Sequence, residues 1–128
     1  MHIRLTKRFT FSASHCLANP GLTFAENESI YGKCQNTHGH NYVLLVHLVG
    51  AVDPATGMLV NLAALKQQIN HLVVSQLDHT HLNLLVTIPT AENLAIHIYN
   101  TIKPEVPQLD CVELWETENN AVMYPSNK

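Results

Sequence analysis

From Ile3 to His15 the odd positions read Ile, Leu, Lys, Phe, Phe, Ala and His, while the even ones are mostly Arg, Thr or Ser. This period-two alternation lapses only at Lys7 and predicts a strand with one inward face, which His15 shares with Phe9 and Phe11. From Leu17 to Lys33 periodicity is lost and Asn, Pro, Gly and Glu collect, predicting a loop of about seventeen residues. A second strand, about His40 to Gly50, is apolar on both parities and is expected to be covered on both faces. Asp53-Pro54-Ala55-Thr56-Gly57 is a turn signature, with Pro presetting φ and Gly free to take positive φ. Asn61 can cap a helix with the stripe Leu62, Leu65, Ile69, Leu72, Val73 and Gln76, fading near Leu77. Thr90 can cap another that buries Leu94, Ala95, Ile98 and Ile102 and ends at Pro104 and Pro107. Cys111 to Glu116 alternate as a third strand, and Glu118-Asn119-Asn120 suits a hairpin turn into a last strand, Ala121 to Tyr124.

The expected order is β-β-α-α-β-β in a single domain, residues 1–128, of the α+β class: an antiparallel four-stranded sheet with two helices on one face. The other face is too apolar for water, which implies a homo-oligomer built through the sheet.

Composition narrows the chemistry. Hydrophobic residues make up 46% and charged residues 13% of the 128 positions, so the chain can bury a core and disorder is excluded. Seven Lys and Arg against ten Asp and Glu give a net charge of −3 with no basic run, which offers nothing to nucleic acid or an anionic membrane. The longest apolar run, Val43 to Val49, is far below the ~20 residues of a membrane span. No signal-peptide core opens the chain. The cysteines, Cys16, Cys34 and Cys111, show no Cys-x-x-Cys spacing and imply a reducing, cytoplasmic setting. Nine His outnumber Lys and Arg together, so metal or proton chemistry is the place to look.

The densest cluster is Cys34-Gln35-Asn36-Thr37-His38-Gly39-His40. On an extended segment, His38 and His40 project to one face and can meet one ion; His15, ending the neighbouring strand, can supply a third ligand. Three His with one position open would make a catalytic zinc site; the bland alternative is a chance His-x-His pair and hydrogen-bonded core imidazoles. Cys34 beside a cation would be a thiolate base, or else an inert small residue. Asp78 and His79 can orient one another for proton transfer, or simply end a helix with a cation at its dipole. Glu116 has the parity of Val112 and Leu114, so its carboxylate needs a partner such as the NH groups of a heterocycle, unless the strand ends there and water solvates it. Cys16, Cys111, His2, His47, His71 and His97 read as structural.

Together these pieces resemble the 6-pyruvoyltetrahydropterin synthase and 6-carboxytetrahydropterin synthase family. The resemblance runs from Phe9 to Tyr124 and is carried by Phe11-Ser12-Ala13-Ser14-His15, Tyr31-Gly32-Lys33-Cys34, His38-Gly39-His40-Asn41-Tyr42, Asp53-Pro54-Ala55-Thr56-Gly57, Leu77-Asp78-His79, Leu82-Asn83, Pro89-Thr90-Ala91-Glu92-Asn93 and Glu116-Thr117. It implies the tunnelling fold, with subunit sheets joined into a barrel and trimers stacked into hexamers. It also implies zinc held by His15, His38 and His40, and 7,8-dihydroneopterin triphosphate as substrate. By the same match Cys34 is the general base, Asp78 and His79 the proton relay, Glu116 the pterin anchor and Glu92 a further contact.

The Cys34-x3-His38 spacing resembles the branch that releases acetaldehyde and leaves a 6-carboxy group, on the route to queuosine-type deazapurines. Gly32 to Asn36, Asn61-Leu62 and Glu116 to Asn120 resemble the pyruvoyl branch instead. The spacing is given more weight here, so the expected product is 6-carboxytetrahydropterin, with the pyruvoyl product as alternative. A non-catalytic zinc- or pterin-binding module is the alternative of another class; it would have no need of Cys34, Asp78 and His79. One departure stands out: Cys16 follows His15 where the family often has Arg, which leaves few cations for a triphosphate.

Overall fold

The computed structural model describes residues 2–126. β1 (His2–His15) and β2 (His38–Ala51) form a long antiparallel pair, in register from His2↔Ala51 to His15↔His38. β3 (Leu109–Thr117) joins β2, and β4 (Asn120–Tyr124) joins β3, giving the sheet order β1-β2-β3-β4. The hairpin turn is Glu118–Asn119, and a bulge between Trp115 and Thr117 leaves Glu116 as the extra residue on β3.

The segment joining β1 to β2 is not the loop that its lack of periodicity predicts. It contains α1 (Phe24–Tyr31), opened by a reciprocal cap between Thr23 and Glu26, and then a 3-10 turn (Gly32–Gln35). Only Asn27 of this helix is buried, and Phe24 and Ile30 face outward. No apolar stripe exists to reveal such a helix; the Thr23-x-x-Glu26 box was its local signal. The observed order is therefore β-α-β-α-α-β-β.

α2 (Leu62–Ile69) is capped by the Asn61 side chain and runs on through a π-helical turn (Asn70–Val74) and a last α turn (Ser75–Leu77). Leu65, Ile69, Val73 and Leu77 are its buried residues, while Leu62 and Gln76 of the expected stripe are exposed. Residues four apart drift by about 40° per turn on an α-helix. The wider π turn takes up part of that drift and keeps all four on the sheet. α3 (Ala91–Ile102), capped by Thr90, buries Leu94, Ala95, Ile98 and Ile102 as its periodicity predicts. Both helices cover one face of the sheet, sharing a core with Phe9, Phe11, Tyr42, Leu44, Val46, Leu48, Val112 and Leu114. Each such Leu, Ile or Phe contributes roughly 1.5–3 kcal/mol, more than the ~1 kcal/mol of any cap.

The helix-free face mixes half-buried Val43, Leu45, Val49 and Trp115 with a polar chain. Thr6 Oγ1 lies 2.9 Å from His47 Nδ1, His47 Nε2 lies 3.1 Å from Glu113 Oε1, and Trp115 Nε1 donates to Glu113 Oε2 at 2.7 Å. His47, without a visible partner in the sequence, is thus a fixed member of a network. Among the described residues no helix is long and apolar enough to cross a membrane.

The arm between β1 and β2 depends on one side chain. Asn27 Oδ1 accepts from Asn19 N at 2.7 Å, and its Nδ2 donates to Asn19 O at 3.0 Å and Thr23 O at 3.1 Å. Replacing Asn27 with Leu strands these groups at a cost of about 1–3 kcal/mol. Hydrogen exchange is expected to speed up at least tenfold across residues 19–31 while the β1–β2 amides keep their protection; uniform loss would mean the arm is not a separate unit.

Candidate active site

The β1–β2 register places His15 directly across from His38, and His40 across from Ala13. Pleating puts His15, His38 and His40 on the same face as the core, at the end of the sheet. Their ring centroids are 4.5 Å (His15–His38), 5.0 Å (His15–His40) and 5.0 Å (His38–His40) apart. One ligand nitrogen from each lies within 4.8 Å of the others.

The proton positions follow from the partners. His15 Nδ1 is 2.7 Å from the Pro89 carbonyl and His38 Nδ1 is 2.7 Å from the Asn36 carbonyl. A carbonyl only accepts, so both Nδ1 atoms carry hydrogen and both Nε2 atoms present lone pairs when the rings are neutral. Yet His15 Nε2 and His38 Nε2 are 3.0 Å apart, and His40 Nε2 is buried with no hydrogen-bond partner. Lone pairs facing at that distance call for a shared proton or a cation between them. Two nitrogens sharing one tetrahedral zinc at about 2.0–2.1 Å would stand about 3.3 Å apart, so the trio fits such an ion. The backbone carbonyls behind His15 and His38 are the outer support that metal-bound imidazoles use.

Glu116 Oε2 lies 3.9 Å from both His15 Nε2 and His40 Nε2. Glu116 does share the face of Val112 and Leu114, as its parity implies, and it is half-buried beside the histidines. It stands off the trio as a compensating charge. Burial pushes the His15 imidazole below its ordinary value, the Pro89 carbonyl opposing, and burial pushes the Tyr42 phenol up.

Asp78 and His79 arrive from the end of the α2 segment and lie along the outer edge of β1. Asp78 Oδ1 accepts from Ser12 N at 2.9 Å, His79 N donates to Ser12 O at 2.6 Å, and Ser14 N donates to Thr80 O at 3.1 Å. His79 Nδ1 is 3.0 Å from Asp78 Oδ2, so the ring turns to the carboxylate and not to the helix end. The Ser12 N–H first, and then His79, hold the Asp78 carboxyl below the usual range. His79 has φ of 58°, a left-handed conformation that costs a residue with a Cβ about 1–2 kcal/mol and is most at home in functional segments. His40 and His79 border one cleft of about 600 Å³, together with Ser12, Ser14, Asn41 and His81. Among these, His81, 2.9 Å from Ser14 Oγ through Nδ1, was not singled out from sequence, although His79-x-His81 repeats the spacing of the other pair.

Cys34 is exposed on the 3-10 turn, where its carbonyl accepts from Leu17 N at 2.7 Å. It does not line the cleft of His40 and His79. Glu92 is exposed in the first turn of α3. The entrance to that helix is tied to the trio, since Pro89 precedes its cap and holds His15. Cys16 is half-buried and Cys111 buried at the start of β3.

The sequence matches the family described as 6-pyruvoyl tetrahydropterin synthase over residues 4–127. The chain belongs to the 6-pyruvoyl tetrahydropterin synthase family. Its members are lyases. It is 44% identical over 126 residues to the 6-pyruvoyl tetrahydrobiopterin synthase of Dictyostelium discoideum, with 94% of this chain and 93% of that protein covered. Identity falls to 33% over 110 residues with an Archaeoglobus fulgidus protein named, provisionally, 6-carboxy-5,6,7,8-tetrahydropterin synthase, covering 86% and 84% of the two chains. The solved structure of Caenorhabditis elegans 6-pyruvoyl tetrahydropterin synthase superposes with a TM-score of 0.90 at 37% identity, covering 97% of this chain and 95% of that one. The four-stranded antiparallel sheet with helices on one face is thus the fold of this family.

The lowered His15 value gives a pH dependence for the metal-free protein. In the unfolded chain this imidazole takes a proton near its ordinary value of about 6.5, and in the folded chain only further into acid. Stability is therefore full above that value and falls as pH drops through and below it. Urea midpoints measured from pH 7.5 to 5.5 are expected to decline more steeply for the wild type than for His15→Gln; equal slopes would contradict this.

Proposed function

We propose that this protein converts 7,8-dihydroneopterin triphosphate to 6-pyruvoyl tetrahydropterin with expulsion of triphosphate. The observation that carries this reading is a convergent imidazole trio, one member of which, His40, borders the same cleft as the carboxylate-paired His79, in a member of this family. Higher identity to the relative named for the pyruvoyl product than to the one named for the carboxy product favours elimination over carbon–carbon cleavage. The Cys34-x3-His38 spacing weighed the other way. A 3-10 turn joins Cys34 to the strand of His38, so residue count does not by itself set how far the thiol stands from the imidazoles.

His15, His38 and His40 would hold zinc through Nε2. When bound there, the ion supplies Lewis acidity toward side-chain oxygens of the substrate. Cys34, as thiolate, takes a carbon-bound proton of the substrate side chain. Asp78 keeps the His79 proton on Nδ1, so that Nε2 faces outward to accept or return a proton. Glu116 and the exposed Glu92 offer carboxylates to the NH groups of the pterin.

Cys34 does not line the cleft that His79 borders, which supports completion of the site by assembly of several copies. The outer edge of β4 and the part of β1 beyond the 78–81 segment are open to such pairing, and the half-buried helix-free face fits a barrel interior. We take the assembly to be a homohexamer of two stacked trimers.

Cys34→Ala is expected to lower turnover of 7,8-dihydroneopterin triphosphate by at least about a hundredfold while zinc content stays unchanged. Mass spectrometry of the products separates the readings. A pyruvoyl pterin without acetaldehyde supports the proposal, acetaldehyde with a 6-carboxypterin restores the branch favoured by the spacing, and no turnover by the zinc-loaded wild type sinks both.

A further inference from the structure

β1 ends at His15, and its ladder with β2 ends at the pair His15↔His38. The residue that carries the first imidazole of the trio is therefore the last one its own sheet holds. A ligand side chain has to be kept within about 0.5 Å of its working position, so a backbone free to fray at this point would spoil the trio.

Beyond the strand end the backbone is held by a side chain. Asn83 Oδ1 accepts from Cys16 N at 3.0 Å, and Asn83 Nδ2 donates to Cys16 O at 2.8 Å. One carboxamide thus closes on both polar groups of a single residue, as the peptide groups of a neighbouring strand would. The contact continues a pattern along the outer edge of β1. Ser12 N and O are taken by Asp78 Oδ1 and His79 N, and Ser14 N by Thr80 O. Residues 12, 14 and 16 turn their backbone to this edge, and the segment from Asp78 to Asn83 meets each in order. His15 lies between the last two and is fully buried.

Asn83 is itself anchored. It sits in a 3-10 turn, Leu82–Leu84, whose first residue is fully buried in the core. The His15 ring has a separate support, the Pro89 carbonyl at 2.7 Å. Ring orientation and backbone position are therefore fixed by different groups. A carboxylate at position 83 would accept from Cys16 N but repel Cys16 O, and an aliphatic side chain would satisfy neither.

We propose that Asn83 is a positioning residue for the metal site: by clamping Cys16 it holds the His15 backbone so that Nε2 meets the His38 and His40 nitrogens before an ion arrives. This rests on the reading of the trio as a zinc site. Asn83 touches neither ion nor substrate in this scheme and acts through His15.

The test uses the whole chain and zinc alone, with affinity read by competition against a chromophoric chelator at pH 7.5. Asn83→Ala is expected to raise the zinc Kd at least about tenfold, the usual effect of losing an outer support of a ligand. Asn83→Asp, which keeps one of the two bonds, should fall between it and the wild type. In a His15→Ala background Asn83→Ala should change the Kd less than twofold, because its effect passes through the missing imidazole. The metal-free wild type needs no substitution: its Cys16 amide should exchange as slowly as that of Ser14. An unchanged Kd in Asn83→Ala, an undiminished effect without His15, or a freely exchanging Cys16 amide overturns the proposal and leaves the zinc reading intact. Failure of the wild type to bind zinc overturns the zinc reading, and the role of Asn83 with it.

Discussion

The antiparallel register between β1 and β2 is the constraint on which the rest depends. Fixed from His2↔Ala51 to His15↔His38, it places an imidazole from one end of the first strand against two from the start of the second. A one-residue slip would turn every side chain of β1 to the other face and take His15 out of the trio. Burial makes that slip costly: Phe9, Phe11 and Ala13 would leave the core and their place beside Tyr42, Leu44, Val46 and Leu48. The packing that stabilises the domain is the same packing that sets the ligand geometry.

The low charge of the chain belongs with this arrangement. The trio is made of imidazoles whose ring nitrogens converge, and the Glu116 carboxylate stands 3.9 Å from two of them. Burial keeps His15 neutral. A carboxylate in its place would carry a larger desolvation cost in the absence of an ion. Imidazoles can remain uncharged at the margin of a hydrophobic core, where a carboxylate is harder to bury.

The second half of the site is assembled on different terms. Asp78 and His79 are pinned to the backbone edge of β1 and held in a strained turn, while Cys34 rides on an arm whose helix buries little beyond Asn27. The end of the sheet, the strained edge and the loosely packed arm are thus held by different means. The arm, with exposed Phe24 and Ile30, has apolar surface that its own chain leaves uncovered.

Alternation in β1, the apolar run of β2, the stripe of α3 and the hairpin at Glu118–Asn119 were legible because each buries a face whose period survives in the sequence. His38-Gly39-His40 was legible as a candidate pair for the same reason, and the parity of Glu116 pointed to the core side. The helix α1 was not, because it has no buried stripe, and the π turn was not, because its residues keep an ordinary helical composition. Periodicity and composition reveal the strands, their inward faces and the residue types able to hold an ion or move a proton. Which of them meet is set by the packing of the folded chain. Pairing between distant segments fixed His15 against His38, brought Glu116 to 3.9 Å from two imidazoles, and left Cys34 outside the cleft that His79 borders. Register and edge contacts are relations between segments, and local periodicity carries no record of them.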